Sequence, residues 1–134
     1  MLDDGVLGYV HVVREMTGPM PNRDGPDRPE RRGGLSVFVT NQGSSSILTV
    51  GGEIDMDTAP SLRDRLDMLT EWGRGDVFVD MSEVTFCGST GLAVLVAAFE
   101  ALRTQARVLR VVNPSIPVER LLRLVRLEHL LSAT

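Results

Sequence analysis

From Leu35 onward, short runs of β-forming residues alternate with segments in which leucines recur every three to four positions. That alternation constrains the chain more than any other feature. Strands separated by helices pair in parallel only through crossovers that lay the helices on the sheet. Leu35 to Thr40 (LSVFVT) alternates and is rich in β-formers, so it reads as a strand. Asn41 to Ser46 reads as a turn, and Ile47 to Gly52 as the other arm of a hairpin. Asp57 or Thr58 can cap a helix with Pro60 in its first turn. Ala59, Leu62, Leu66 and Leu69 share one face of that helix, and Gly73 marks its end.

Asp76 to Met81 (DVFVDM) is a short apolar strand suited to the middle of a sheet, and Ser82 to Gly88 is expected to be a loop. Ser89 is expected to cap a helix running to about Thr104. The first half of this helix, LAVLVAAF, is apolar nearly all round and should be largely buried. Val108 to Val112 is the next strand, and Ser115 caps a last helix with Pro117 in its first turn. There Val118, Leu121, Leu122 and Val125 are expected to face the core, with Arg120, Arg123 and Arg126 outward. The expected fold class is α/β: one domain over residues 35–134, a mixed, mainly parallel sheet of four to five strands covered by helices, in the order β-β-α-β-α-β-α.

Residues 1–34 have a different character. Val6 to Val13 is apolar and could form a strand or a stray packing segment, while Thr17 to Gly34 holds four of the seven prolines and four glycines. Such a composition cannot bury enough apolar surface to offset its ordering entropy, so a disordered or poorly ordered N-terminal extension is expected. The 134 residues leave room for one core and hardly for two.

Several function classes are disfavoured. No apolar run approaches the ~20 residues that span a bilayer, and Met1 to Asp4 is acidic where a secretory signal would be basic. A cytoplasmic location with no membrane partner is expected. The lone cysteine, Cys87, excludes an internal disulfide and any multi-cysteine zinc site. His11 and His129 lie at opposite ends of the chain, so neither a metal site nor a cofactor is expected. The net charge of −4 argues against a nucleic-acid partner. The charge is also uneven. Glu53 to Glu83 holds nine acids against three arginines, and Glu100 to the end holds six arginines against three acids. Either these are solvated surfaces or they meet a protein partner.

Chemistry concentrates at Phe86-Cys87-Gly88-Ser89-Thr90-Gly91-Leu92, where a loop ends in a hydroxyl pair at a helix start. Free backbone N–H groups and the positive end of the helix dipole favour a phosphate there. Phosphorylation would add roughly −1.5 to −2 charge; an ordinary N-cap, at about 1 kcal/mol, is the plainer reading of Ser89. A nucleophile elbow needs glycine two residues before the serine, where Cys87 stands, and no histidine is placed as a base. With no lysine in the chain, a Walker-type phosphate loop cannot be completed. No catalytic residue is expected. Glu53, Asp55 and Asp57 alternate ahead of a helix, and a strand end with a helix cap explains the first and last of them. Cys87 reads as a buried small hydrophobe rather than a redox thiol.

Gly-Glu-Ile-Asp followed by Thr-Ala-Pro-Ser-Leu-Arg-Asp-Arg-Leu resembles the STAS domain of bacterial anti-anti-sigma factors. So do Val-Phe-Val-Asp-Met-Ser-Glu-Val-Thr-Phe, then Gly-Ser-Thr-Gly-Leu, and the ending Val-Val-Asn-Pro-Ser with Leu-Glu-His-Leu-Leu. The similarity runs from about Leu35 to Leu131. It implies a binding switch rather than an enzyme. In that family, the unphosphorylated protein binds an anti-sigma factor, often itself an ATP-using serine kinase, and thereby frees a sigma factor. Phosphorylation at the start of the second helix dissolves the complex, and a phosphatase resets it. The family's serine matches Ser89 and its acidic residue after the second strand matches Asp55, so Asp55, Gly88, Ser89, Thr90 and Gly91 are the expected partner-binding residues. Gly88 stands where the family usually has aspartate. That departure supports an alternative, a phosphorylation-independent scaffold or small-ligand-sensing module, and Thr90 is a second candidate acceptor. The free protein is expected to be a monomer.

Overall fold

A computed structural model describes residues 30–32 and 34–131. Among these residues five strands form one sheet in the order β1-β2-β3-β4-β5: Glu30–Arg32, Leu35–Gln42, Ser45–Ile54, Val77–Cys87 and Leu109–Val112. Three helices follow the last three strands or join them: α1 (Ala59–Trp72), α2 (Ser89–Arg103) and α3 (Ile116–Leu124). A 3-10 turn, Glu128–Leu130, closes the described chain. The pairings β1–β2 and β2–β3 are antiparallel, and β3–β4 and β4–β5 are parallel. From Leu35 on, the element order is the one the alternation of periods implies.

The core forms because alternate strand residues point to one face. Leu35 and Val37, Leu48 and Val50, Val77 and Val79, and Leu109 and Val111 are all buried in a single cluster. Leu62, Leu66 and Leu69 of α1, Leu95 and Leu102 of α2, and Val118 and Leu122 of α3 close it. The crossover helices α1 and α2 pack against each other, and α3 lies along β4.

Several expectations are corrected. The turn at 41–46 contracts to Gly43-Ser44, because the ladder continues to Gln42↔Ser45. The expected loop at 82–88 is instead strand: β4 runs on to Cys87, paired with the far end of β3. Its polar residues Ser82, Glu83 and Thr85 point to solvent there, so the hydrophobic pattern fades while the backbone ladder persists. Helix α2 is not buried all round. Ala93 and Ala97 are exposed, because only the Gly91, Leu95, Ala98, Leu102 side meets the sheet. Val125 is likewise exposed, and Leu121 is only half-buried.

The expected extension over 1–34, including Val6 to Val13, lies outside the described residues up to Pro29. The end of that segment forms β1, registered Glu30↔Val37 to Arg32↔Leu35.

Candidate functional site

The site is built where two parallel strands end side by side. Ile54, last in β3, pairs in register with Cys87, last in β4. The residues that follow, Asp55 and Gly88, therefore emerge at the same end of the sheet. The Gly88 N–H donates to the Ile54 carbonyl at 2.9 Å and ties the two exits together. A sheet's carboxyl ends are where open α/β folds place their binding sites.

On the β3 side, Asp55 organises a tight turn. Its Oδ1 accepts from the N–H of Asp57 at 2.9 Å and of Thr58 at 3.0 Å. Thr58 Oγ1 accepts from the Asp55 N–H at 2.9 Å and donates to the Glu53 carbonyl at 2.8 Å. Asp57 and Thr58 were the expected caps. Thr58 holds the N-cap position but makes no side-chain bond to the helix; Asp55 secures the turn instead. The turn presents Met56, 76% exposed, beside Asp57.

On the β4 side, Gly88 is the N-cap of α2 and Ser89 its first helical residue, so the cap lies one position earlier than the expected Ser89. The reason is that Gly88, at φ −90° and ψ −176°, supplies the extended residue, and its carbonyl accepts the first helical bond, from the Leu92 N–H at 3.1 Å. No side chain caps this end, so the N–H groups of the first turn have no intrahelical acceptor. Ser89 and Thr90 are both exposed. Phe86, 52% exposed, stands beside them with its ring edge near Gly88. Gly91 is buried, and a side chain on it would overlap Ile54 Cγ2.

Burial pushes the Cys87 thiol up from 9.0 to about 11, which keeps it protonated and unreactive at neutral pH. His129 packs edge-on against the Phe99 ring at 5.2 Å. Phe99 lies ten residues into α2, about 15 Å along its axis from Ser89, so His129 does not serve the Ser89 hydroxyl as a base. His11 lies outside the described residues. Among the described residues no cluster of histidine, cysteine, aspartate or glutamate is placed to hold a metal ion, and no helix is long and apolar enough to cross a membrane.

Sequence reasoning missed a groove of about 560 Å³ between α1 and α2. Met56 and Thr90 stand at its lip, Pro60, Leu66, Ala93 and Ala97 line it, and Arg63 and Asp67 supply charge. The alanines at positions 93, 97 and 101, spaced four apart on a helix expected to be buried, were the available signal.

A family model described as "Mlab, STAS domain" matches residues 37–132. The anti-sigma-B factor antagonist of Staphylococcus aureus (strain NCTC 8325 / PS 47) is 30% identical over 97 residues, which cover 72% of this chain and 90% of that protein. The anti-sigma-B factor antagonist of Bacillus subtilis (strain 168) is 36% identical over 90 residues, covering 67% and 79%. The crystal structure of an anti-sigma factor antagonist from Mycobacterium paratuberculosis superposes with a TM-score of 0.66 at 29% identity, covering 80% of this chain and 86% of that one.

Proposed function

This chain belongs to the STAS domain family of anti-sigma factor antagonists, and on that premise we propose that it binds an anti-sigma factor at the joint ends of β3 and β4 and so releases a sigma factor. Phosphorylation of Ser89, by an anti-sigma factor that is also a serine kinase, switches the binding off, and a phosphatase restores it. The protein acts in the cytoplasm as a binding module rather than an enzyme. Residues 35–134 form its STAS domain, with β1 (Glu30–Arg32) added at the edge of its sheet.

One observation carries the reading. The Ser89 hydroxyl is exposed on the first turn of α2 while Met56 and Phe86 stand exposed at the same end of the sheet. Two such side chains are natural anchors for a protein partner. A phosphate on Ser89 would be held by the uncapped N–H groups of α2. It would also set roughly two negative charges beside surfaces that must be desolvated on docking, which opposes the complex. Asp55 keeps Met56 in place through its turn, and Gly91 lets α2 start hard against β3. Thr90, also exposed, is the alternative acceptor.

The test is phosphosite mapping by mass spectrometry on the protein from its own cells, with anti-sigma factor affinity measured for Ser89→Asp and Ser89→Ala. Phosphate on Ser89, weakened binding by Ser89→Asp and retained binding by Ser89→Ala are expected. Wild-type affinity in both variants would end the Ser89 switch.

A second reading rests on Gly88, which removes the family's usual aspartate, and on the groove between α1 and α2. It is a phosphorylation-independent scaffold or a sensor of a small apolar ligand. Binding indifferent to kinase and ATP, or a ligand that raises the melting temperature, would favour it.

A further inference from the structure

We propose that the chain associates head to tail with further copies of itself, the acidic outer stripe of α1 on one copy docking against the basic outer stripe of α3 on the next. On α1, Asp64, Asp67, Met68, Glu71 and Trp72 are all exposed. Positions 64, 68, 71 and 72 are three or four residues apart and so share one side of the helix. Trp72 is 76% exposed, and Met68 is among the exposed large hydrophobics beside it. On α3, Ile116, Arg120 and Leu124 recur every fourth residue with Arg123 alongside, and Arg126 follows the helix; all are exposed. Leu124 is 80% exposed.

Among the described residues, the core uses neither stripe. Helix α1 meets the core through Leu62, Leu66 and Leu69, and α3 through Val118 and Leu122. Of the α1 cations, Arg63 lines the α1–α2 groove together with Asp67 at the stripe's edge, and Arg65 is half-buried and already engaged. Asp64 and Glu71 of the stripe have no cation three or four residues away within α1. On α3, Arg123 pairs with Glu119 at 2.9 Å, an exposed i,i+4 pair that is weak and readily shared.

Large exposed apolar side chains ringed by charge have the anatomy of an interface, with anchors inside and a polar rim. The sign of the charge selects the geometry. Like stripes repel, so a two-fold pairing of α1 with α1 or α3 with α3 is disfavoured. Opposite stripes attract, and because they sit on different elements the contact is heterologous. Neither stripe includes Ser89, so the association leaves the sheet-end site open. It replaces the free monomer that the sequence suggests.

The experiment is sedimentation velocity on the full chain up to about 1 mM, a range that registers even weak association, at low and high salt. Average mass should rise with concentration, and the rise should shrink in high salt. Trp72→Ser should sediment as a monomer, and so should Arg120→Glu combined with Leu124→Ser. Mixed in equal amounts, the two should form a dimer that grows no further, since each retains one intact stripe. All these positions are exposed, so the melting temperatures should match wild type; Met68→Ser is the second α1 variant if Trp72→Ser melts differently. A wild-type chain that stays monomeric throughout overturns the proposal. So does assembly that both variants leave unchanged, or a mixture that does not pair.

Discussion

Gly91 packs so closely on Ile54 that a Cβ on it would overlap Ile54 Cγ2 and come within 3.1 Å of Cys87 Sγ. Ile54 is fully buried and cannot swing into solvent. Gly91→Ala should therefore strain the packing of α2 on β3 and destabilise the fold by about 1–3 kcal/mol, as overpacking does. Urea denaturation would measure it. Adding Ile54→Ala removes the Cγ2 that the new Cβ would strike, so the double variant should lose less than the sum of the two single variants, a coupling that distant sites do not show.

Gly88 behaves differently. A Cβ there would meet the Phe86 ring at 3.4 Å and the Ile54 carbonyl at 3.7 Å, contacts that are tight at most, and its φ of −90° suits any residue. Gly88→Asp should fold normally and raise stability by a few tenths of a kcal/mol, because aspartate caps a helix slightly better than glycine. Thermal melts check the stability. Phosphate occupancy of Ser89 in cells, compared between the two forms, checks whether the carboxylate aids the kinase.

The contrast between these two glycines shows what the sequence made legible. The leucine periods located α1, and Ser115 was correctly read as the cap of α3, where it accepts from the Val118 N–H at 3.4 Å. The start of α2 at Ser89 and Thr90 was legible because a hydroxyl pair at a helix start is a local signal, although strand rather than loop leads into it. The extension of β4 to Cys87 was not legible, because Ser82, Glu83 and Thr85 carry no apolar period once they face water. Nor was the α1–α2 groove, which depends on how distant segments meet; the role of Asp55 as the turn's acceptor is local, but Asp57 and Thr58 stood beside it as competing caps. Gly88 and Gly91 look alike in sequence; only the neighbours supplied by Ile54 and Phe86 separate them.

Arg107 is another long-range feature. Only 8% exposed, it donates from Nε to the Gly75 carbonyl at 2.9 Å, from Nη1 to the Thr70 carbonyl at 2.9 Å and Gln105 Oε1 at 2.7 Å, and from Nη2 to the Leu69 carbonyl at 2.9 Å. It thus satisfies carbonyls at the end of α1, where the dipole favours a cation. Arg107→Met should cost about 3 kcal/mol in urea denaturation, because several acceptors lose a charged donor together. Arg107→Lys should recover only part, lacking the fork that reaches separate carbonyls.

The raised Cys87 pKa of about 11 has a consequence for pH. The unfolded thiol ionises first, so the unfolded state binds fewer protons between pH 9 and about 11, and stability falls as pH rises through that window. Cys87→Ala should flatten this part of the stability profile. Alkylation by iodoacetamide at pH 9 should also be slower in the folded protein than in urea.

Met56 and Phe86 allow the proposed interface to be tested without touching the phosphorylation site. Both are exposed and reach the surface beside Ser89 from different strands, Met56 through the Asp55 turn and Phe86 at the end of β4. Neither belongs to the core, so Met56→Ala and Phe86→Ala should leave the melting temperature unchanged. If they are anchors for the anti-sigma factor, each should weaken binding by about tenfold or more, roughly 1.4 kcal/mol. The effect should appear mainly as faster dissociation, because buried anchors act after encounter. Surface plasmon resonance on the unphosphorylated protein would measure it, with Leu124→Ala, on the outer side of α3, as the exposed-hydrophobe control. Loss of affinity with Met56→Ala and Phe86→Ala but not with Leu124→Ala would place the anti-sigma factor at the joint ends of β3 and β4. Equal affinity in all three would move the contact elsewhere and leave Ser89 without a surface to switch.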